Sequence, residues 1–194
     1  MTGPRPQPAP PSREALVGDP DLPDLRAAQV DRAAFEILYR RYLGRVYGYA
    51  FYQLGDHHDA EDATERTFLA ALRALPTFRD EGATFRAWLF RIAHNEIANA
   101  RRSRFRRRTE PLPANLERAA PNADPAGLVA DAEELRRVLR AVAELPEDRR
   151  QVVLLRFMDG LSSREIGQVM DRSEGAARVL LHRALRDLAA TLGR

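Results

Sequence analysis

Between Gly160 and Leu188 the chain reads GLSSREIGQVMDRSEGAARVLLHRALRDL, and this stretch narrows the possible folds more than any other. Ser162 and Glu165 form an S-x-x-E capping box, which marks the beginning of a helix. Ile166, Val169 and Met170 give that helix one apolar face, and Gly167 leaves room for another helix to approach. Asp171 and Arg172 interrupt the pattern, and Asp tolerates the left-handed backbone that a sharp turn often needs. Ser173 can then cap a second helix whose inner face is Ala177, Leu180 or Leu181, Ala184, Leu185 and Leu188. Ser173, Glu174, Arg178, His182 and Arg183 fall on its outer face. This is helix-turn-helix geometry, in which the first turns of the second helix meet base edges. Two helices of an ordinary core hairpin share the periodicity; the glycine, the turn length and the outward arginines favour DNA.

The prolines divide what precedes. Seven of the thirteen lie between Pro4 and Pro23 and four between Pro111 and Pro125. The first group reads as a disordered extension over residues 1–29, the second as an interdomain linker over 109–128 with no helical periodicity. Two helical blocks remain, 30–108 and 129–194, and neither carries an alternating strand pattern. The expected fold class is therefore all-α: two small helical domains on a flexible linker, the C-terminal one holding the helix-turn-helix. In the first block Asp31 can cap a helix bearing Phe35, Leu38, Tyr42 and Val46, which ends near Gly55. Asp56 can cap the next, which runs to Pro76, and a long helix follows the loop Pro76 to Ala83. In the second block Leu135, Val138, Leu139 and Val142 mark one helix, and Pro146 suits the first turn of another.

Charge is distributed unevenly. Asp56, Asp59, Glu61, Asp62 and Glu65 crowd the start of the second helix; acids there suit the helix dipole, and five within ten residues also make a docking face for a basic partner. The long third helix ends in RRSRFRRR, six arginines in eight residues, a density that phosphate neutralisation explains better than folding does. Phe85 and Trp88 beside it can stack on unpaired bases or lie in the core. The chain has no lysine, so its arginine content also reflects a GC-rich genome. No cysteine is present, which excludes disulfides and thiolate metal sites. His57 and His58 each precede an acid by four residues, but no second cluster completes a metal site, and none is expected. No apolar run approaches the length of a membrane span and the N-terminus has no apolar signal core, so membrane insertion and secretion are not expected and a cytoplasmic place is.

With both blocks read, the chain resembles a bacterial RNA polymerase sigma factor of the extracytoplasmic-function type, the short class with regions 2 and 4 only. DAEDATERTFLAAL (Asp59 to Leu72) and FRAWLFRIAHNEIANARR (Phe85 to Arg102) are similar to region 2; Glu144 to Leu185 is similar to region 4. The resemblance implies a subunit without catalytic residues or cofactors. Asp59, Glu61, Asp62, Glu65 and Phe68 would bind core RNA polymerase at the β′ clamp helices, with region 4 on the β flap. Phe85, Arg86, Trp88, Arg91, Asn95, Asn99, Arg101 and Arg102 would recognise and melt the −10 element. Ser173, Glu174, Ala176, Arg178, Val179, His182 and Arg183 would read the −35 element. An anti-sigma factor would be a further partner. The chain departs from the family pattern at Glu65-Arg66, usually Gln-Glu, at Asp171, usually Gly, and at Asn99, often Asp. Ala176 and Leu180 replace a usual Thr and a basic residue, which removes polar contacts from the recognition helix.

Two other readings compete. A stand-alone regulator with the output domain of a response regulator would carry an α/β receiver domain, whose pattern is missing from the N-terminal half. An enzyme using His57, His58 and the nearby acids would need a paired nucleophile or a phosphate loop, and the sequence has neither.

Overall fold

Side-chain caps begin three of the α-helices where the sequence places them, at Asp56, Ser162 and Ser173. A computed structural model describes residues 19–79, 82–109 and 129–193. Asp31 accepts the Ala33 N–H and opens a short 3-10 turn that leads into α2, Phe35–Leu54. Gly55 ends α2 in the left-handed conformation, at φ 69°, where a side chain would be strained. Asp56 accepts the Asp59 N–H at 2.9 Å and starts α3, His57–Ala74. A 3-10 turn containing Pro76 terminates it. Thr84 then caps α4, Phe85–Thr109, by accepting the Ala87 N–H at 3.2 Å. The C-terminal half consists of α5 (Val129–Glu144), α6 (Glu147–Phe157), α7 (Ser163–Met170) and α8 (Glu174–Leu192). All regular elements among the described residues are helical, as the fold class requires. The expected linker beyond Thr109 and residues 1–18 of the extension lie outside the described residues.

One helix departs from expectation. Residues Leu22–Val30 form α1, inside the segment assigned to a disordered extension. Pro23 stands in the first turn, where its missing N–H leaves no intrahelical bond unmade, so proline density there does not oppose a helix. Leu25 and Ala28 are buried, and two carboxylates pin the strand of chain before them. Asp19 accepts the Phe85 backbone N–H at 2.7 Å, which caps α4 from 66 residues away. Asp21 meets the Arg41 guanidinium and the Tyr42 hydroxyl.

The N-terminal core lies among α2, α3 and α4, where Leu38, Val46, Tyr49, Ala60, Phe85, Leu89, Phe90 and Ile97 are all essentially inaccessible. Burial of each large apolar side chain is worth roughly 1.5–3 kcal/mol. Tyr49 meets Phe90 edge-on at 5.6 Å, and Tyr42 meets Phe85 the same way at the same distance. The second core joins Val152, Leu154, Leu155, Leu161, Ile166, Val169, Ala177, Ala184 and Leu188. Leu135 and Leu185, expected inside, are 56% and 40% exposed. Leu180 and Leu181 share the half-buried flank that the periodicity left open between them.

The helix-turn-helix forms as its caps dictate. Ser162 and Glu165 make a reciprocal capping box, and Ser173 accepts the Ala176 N–H at 3.1 Å. Asp171 has φ 54° and ψ 48°, the left-handed geometry expected at the turn. Gly167 serves a purpose different from helix crossing: the backbone of the turn itself packs onto it. A Cβ there would lie 2.7 Å from the Arg172 carbonyl oxygen and 3.3 Å from the Glu174 nitrogen. Gly167→Ala is therefore expected to cost about 1–3 kcal/mol, the usual cost of overpacking, read as a lower melting temperature. An unchanged melting temperature would mean that the turn yields freely.

Candidate functional site

Three surfaces collect the candidate residues. The first is a groove of about 590 Å³ between α2 and α3. Tyr39, Leu43, Phe68, Leu69 and Leu72 line it, and Glu61 and Glu65 stand among the lining residues. Tyr39, Leu43 and Leu69 are each about 40% exposed, a contiguous apolar strip that the described residues leave uncovered (39%, 37% and 42%). Phe68 is buried beneath it, edge-on to Tyr39 at 4.8 Å. Among the five docking candidates Glu61, Glu65 and Phe68 thus belong to the groove. Asp59 turns toward Arg104 of α4 at 3.5 Å, and Asp62 pairs along its own helix with Arg66 at 3.4 Å. The sequence reading missed Tyr39, Leu43, Leu69 and Leu72. Their signal was a second apolar stripe on each helix, at i, i+4 on α2 and i, i+3 on α3, in addition to the stripe that fills the core.

His57 and His58 do not converge. His57 Nδ1 lies 2.5 Å from the Tyr47 hydroxyl and its ring packs on Phe51, while His58 approaches Asp62 at 3.7 Å. Among the described residues no group of three His, Asp or Glu is placed to hold a metal ion.

The second surface is α4, where the eight −10 candidates separate into three groups. Arg91, Asn95, Asn99 and Arg102 are exposed at spacings of four, four and three, so they share one stripe, with half-buried Trp88 at its N-terminal end. Trp88 leans on Phe78 at 4.9 Å and on Phe85 at 5.7 Å. Phe85 is fully buried and Arg101 turns inward, contrary to their expected place at a DNA face. The physical reason for Arg101 lies in α2, whose last carbonyls have no intrahelical partner. Arg101 donates to the Gln53 carbonyl and side chain at 2.6 Å, and Arg104 donates to the Leu54 carbonyl at 3.1 Å. Part of the arginine run thus closes a helix end. Burial lowers the Arg101 pKa, and Arg150 lowers it further. Arg86, the third case, is held by Glu165 of α7.

The third surface is the first half of α8. Ser173, Glu174, Ala176, Arg178, Val179, His182 and Arg183 are all exposed, while Ala177, Ala184 and Leu188 hold the opposite side to the core. Glu174 accepts from Arg178 at 2.5 Å, an i, i+4 pair that orients the arginine along the helix.

Comparison with known proteins places the chain in a family. Residues 38–107 match sigma-70 region 2, and residues 135–188 match sigma-70 region 4. The ECF RNA polymerase sigma factor BldN of Streptomyces coelicolor is 40% identical over 172 residues, 86% of this chain; the chain spans 63% of that relative's length. The ECF RNA polymerase sigma-E factor of Haemophilus influenzae is 32% identical over 169 residues, 82% of this chain and 87% of the relative. Among solved structures, CnrH in complex with the cytosolic domain of CnrY superposes with a TM-score of 0.66 at 27% identity, covering 89% of this chain and 97% of the other. Both matched regions occur here in the same order as the two helical halves, and on those grounds the chain belongs to the ECF sigma factors of RNA polymerase.

Proposed function

We propose that this chain is a promoter-specificity subunit: it binds core RNA polymerase and directs initiation at particular promoters, while the polymerase performs the chemistry. The observation that carries this reading is the uncovered apolar groove between α2 and α3 with glutamates among its lining. A stand-alone DNA-binding regulator has no use for such a surface, whereas a helix with an apolar face and basic flanks, such as the β′ clamp helices would offer, fits it. The exposed stripe of α4 would then take the −10 element, with Trp88 beside unpaired bases and Arg91 and Arg102 on phosphates. The outer face of α8 would take the −35 element in the major groove, and region 4 would rest on the β flap. An anti-sigma factor would act by occupying the groove or the α4 stripe. No helix among the described residues is long and apolar enough to cross a membrane; a cytoplasmic place follows from the polymerase partner.

Transcription reconstituted from core polymerase, this chain and promoter fragments tests the reading. Added chain is expected to start transcripts at cognate promoters that core alone ignores. Tight, sequence-specific binding to duplex without polymerase would overturn it. In the same assay Arg178→Ala is expected to lower initiation from promoters with a −35 element by roughly tenfold, about the weight of one base contact. Unchanged preference among −35 variants would remove Arg178 from the readout.

A further inference from the structure

The passage from α3 to α4 is held at both ends by α1 and the residues just before it. At the entry, the Gln29 side-chain amide donates to the Leu75 carbonyl at 3.1 Å and to the Phe78 carbonyl at 3.0 Å. At the exit, Asp19 accepts the Phe85 backbone N–H at 2.7 Å. α1 is itself fixed in place. Leu25 and Ala28 are buried, Asp19 accepts the Asp21 N–H at 3.0 Å, and Asp21 is tied to Arg41 and Tyr42 of α2.

A glutamine suits the entry for a chemical reason. Carbonyls at the end of a helix have lost their intrahelical donors, and Leu75–Thr77 is the 3-10 turn in which α3 runs out. The side-chain NH2 carries two hydrogens and can serve two carbonyls at once. Arg79 also reaches the Phe78 carbonyl, but only at 3.4 Å. The pair of bonds from Gln29 therefore sets where Phe78 stands as the chain leaves the turn in extended form, at φ −61° and ψ 129°.

Phe78 is in turn the support on which Trp88 rests. Its buried ring meets Trp88 edge-on at 4.9 Å and Phe85 at 6.5 Å, and Phe85 lies 5.7 Å from Trp88. Of these three rings only Trp88 is part exposed, at the N-terminal end of the stripe formed by Arg91, Asn95, Asn99 and Arg102. A shift of Phe78 thus moves the one ring of the cluster that an unpaired base can reach.

We infer that Gln29 is a positioning residue of the −10 surface: it holds the turn, not the DNA, and through Phe78 sets the pose in which Trp88 receives a base. The inference rests on the reading of α4 as the −10 surface. It brings α1, which lies outside that surface, into promoter readout.

Trp88 is the single tryptophan of the chain, so its emission reports its own packing. In the full-length chain Gln29→Met keeps the reach of the side chain and removes both donors. Gln29 is exposed, so water takes over the two carbonyls. The melting temperature is expected to move by no more than about 2 °C. Trp88 emission is expected to shift to the red, with greater quenching by acrylamide. A fluorescent oligothymidine of about 15 nucleotides serves as the strand, and Gln29→Met is expected to bind it about fivefold more weakly, part of the stacking of one base. The slope of log affinity against log salt stays as in the parent, because no phosphate contact is lost. Arg91→Ala, on the stripe, is expected to reduce that slope by about one. In a Trp88→Leu background Gln29→Met is expected to weaken strand binding no further. Unchanged Trp88 emission and quenching, or an equal effect of Gln29→Met with and without Trp88, overturns the inference and leaves the −10 reading standing. A parent chain that does not bind the strand, or whose binding withstands both Arg91→Ala and Trp88→Leu, overturns the −10 reading and the inference with it.

Discussion

Leu69→Asp is expected to weaken binding of this chain to core RNA polymerase by roughly a hundredfold, with its melting temperature unchanged. Leu69 is 42% exposed at the groove between α2 and α3, so the folded chain can hydrate a carboxylate there at little cost. A docked helix removes that water. It would bury the new charge among Tyr39, Leu43, Phe68 and Leu72, near Glu61 and Glu65, where no described residue lining the groove is cationic. Truncation of a central apolar anchor commonly costs 2 kcal/mol or more, and a factor of one hundred corresponds to about 2.8 kcal/mol. Asp62→Arg provides the contrast. Asp62 is paired on the surface with Arg66 at 3.4 Å and lies outside the groove, so its reversal acts through screened charge alone. Its effect is expected to stay under about tenfold and to fade as salt is raised. Titration of labelled chain with core polymerase, at low and moderate salt, ranks the two. If Asp62→Arg proves the more damaging, docking is governed by the acidic face and the groove is incidental.

The legible parts of this molecule are those in which cause and effect are near each other along the chain. Asp31, Asp56 and Ser173 each cap a helix whose N–H lies two or three residues away, and the left-handed Asp171 stands beside the turn it permits. Patterns of this range survive in sequence because one or two residues determine them. The illegible parts depend on distant partners. Asp19 caps α4 across 66 residues, and nothing near Asp19 signals a helix N-terminus in need of an acceptor. Arg101 looks like its exposed neighbour Arg102 until the end of α2, 48 residues earlier, supplies it with two oxygens. Phe85 is equally apt for stacking on a base and for a core; only the packing of Tyr42 and Phe78 against it decides for the core. The outer face of α8 is the most legible surface, since its exposure follows from the position of Ala177, Ala184 and Leu188 on the other side. The groove between α2 and α3 is the least legible, because it is lined by apolar residues that read as surplus core.

Asp159→Asn is expected to stabilise the folded chain, and to do so more strongly as pH rises. Asp159 is fully buried where the α6–α7 turn meets α2 and α4. Burial pushes its carboxyl up to about 7, against the opposing influence of Arg45 and Arg86. Arg45 Nε comes within 3.4 Å of Oδ1, yet among the described residues neither carboxylate oxygen receives a hydrogen bond, and the Tyr49 hydroxyl nearby has no partner among them either. In the unfolded chain the same group titrates near 3.8. Below that pH both states are protonated and burial carries no ionisation cost. Between about 4 and 7 the unfolded carboxyl gives up its proton while the folded one keeps it, so the folded state loses ground steadily, and above 7 the loss is constant. Three pH units at about 1.4 kcal/mol each set the full effect on the order of 4 kcal/mol. Asn keeps the shape and does not ionise. Arg45 is not stranded by the change: it is part exposed and still donates to the carbonyl of residue 159 at 2.6 Å. The quantity to measure is the difference in melting temperature between variant and parent, because Glu165, whose lowered pKa acts in the opposite sense, is common to both. That difference is expected to approach 10 °C at pH 8 and about a third of that at pH 5, given roughly 2–4 °C per kcal/mol for a chain of this size. A difference independent of pH would mean that Asp159 is ionised throughout and that Arg45 fully offsets its burial.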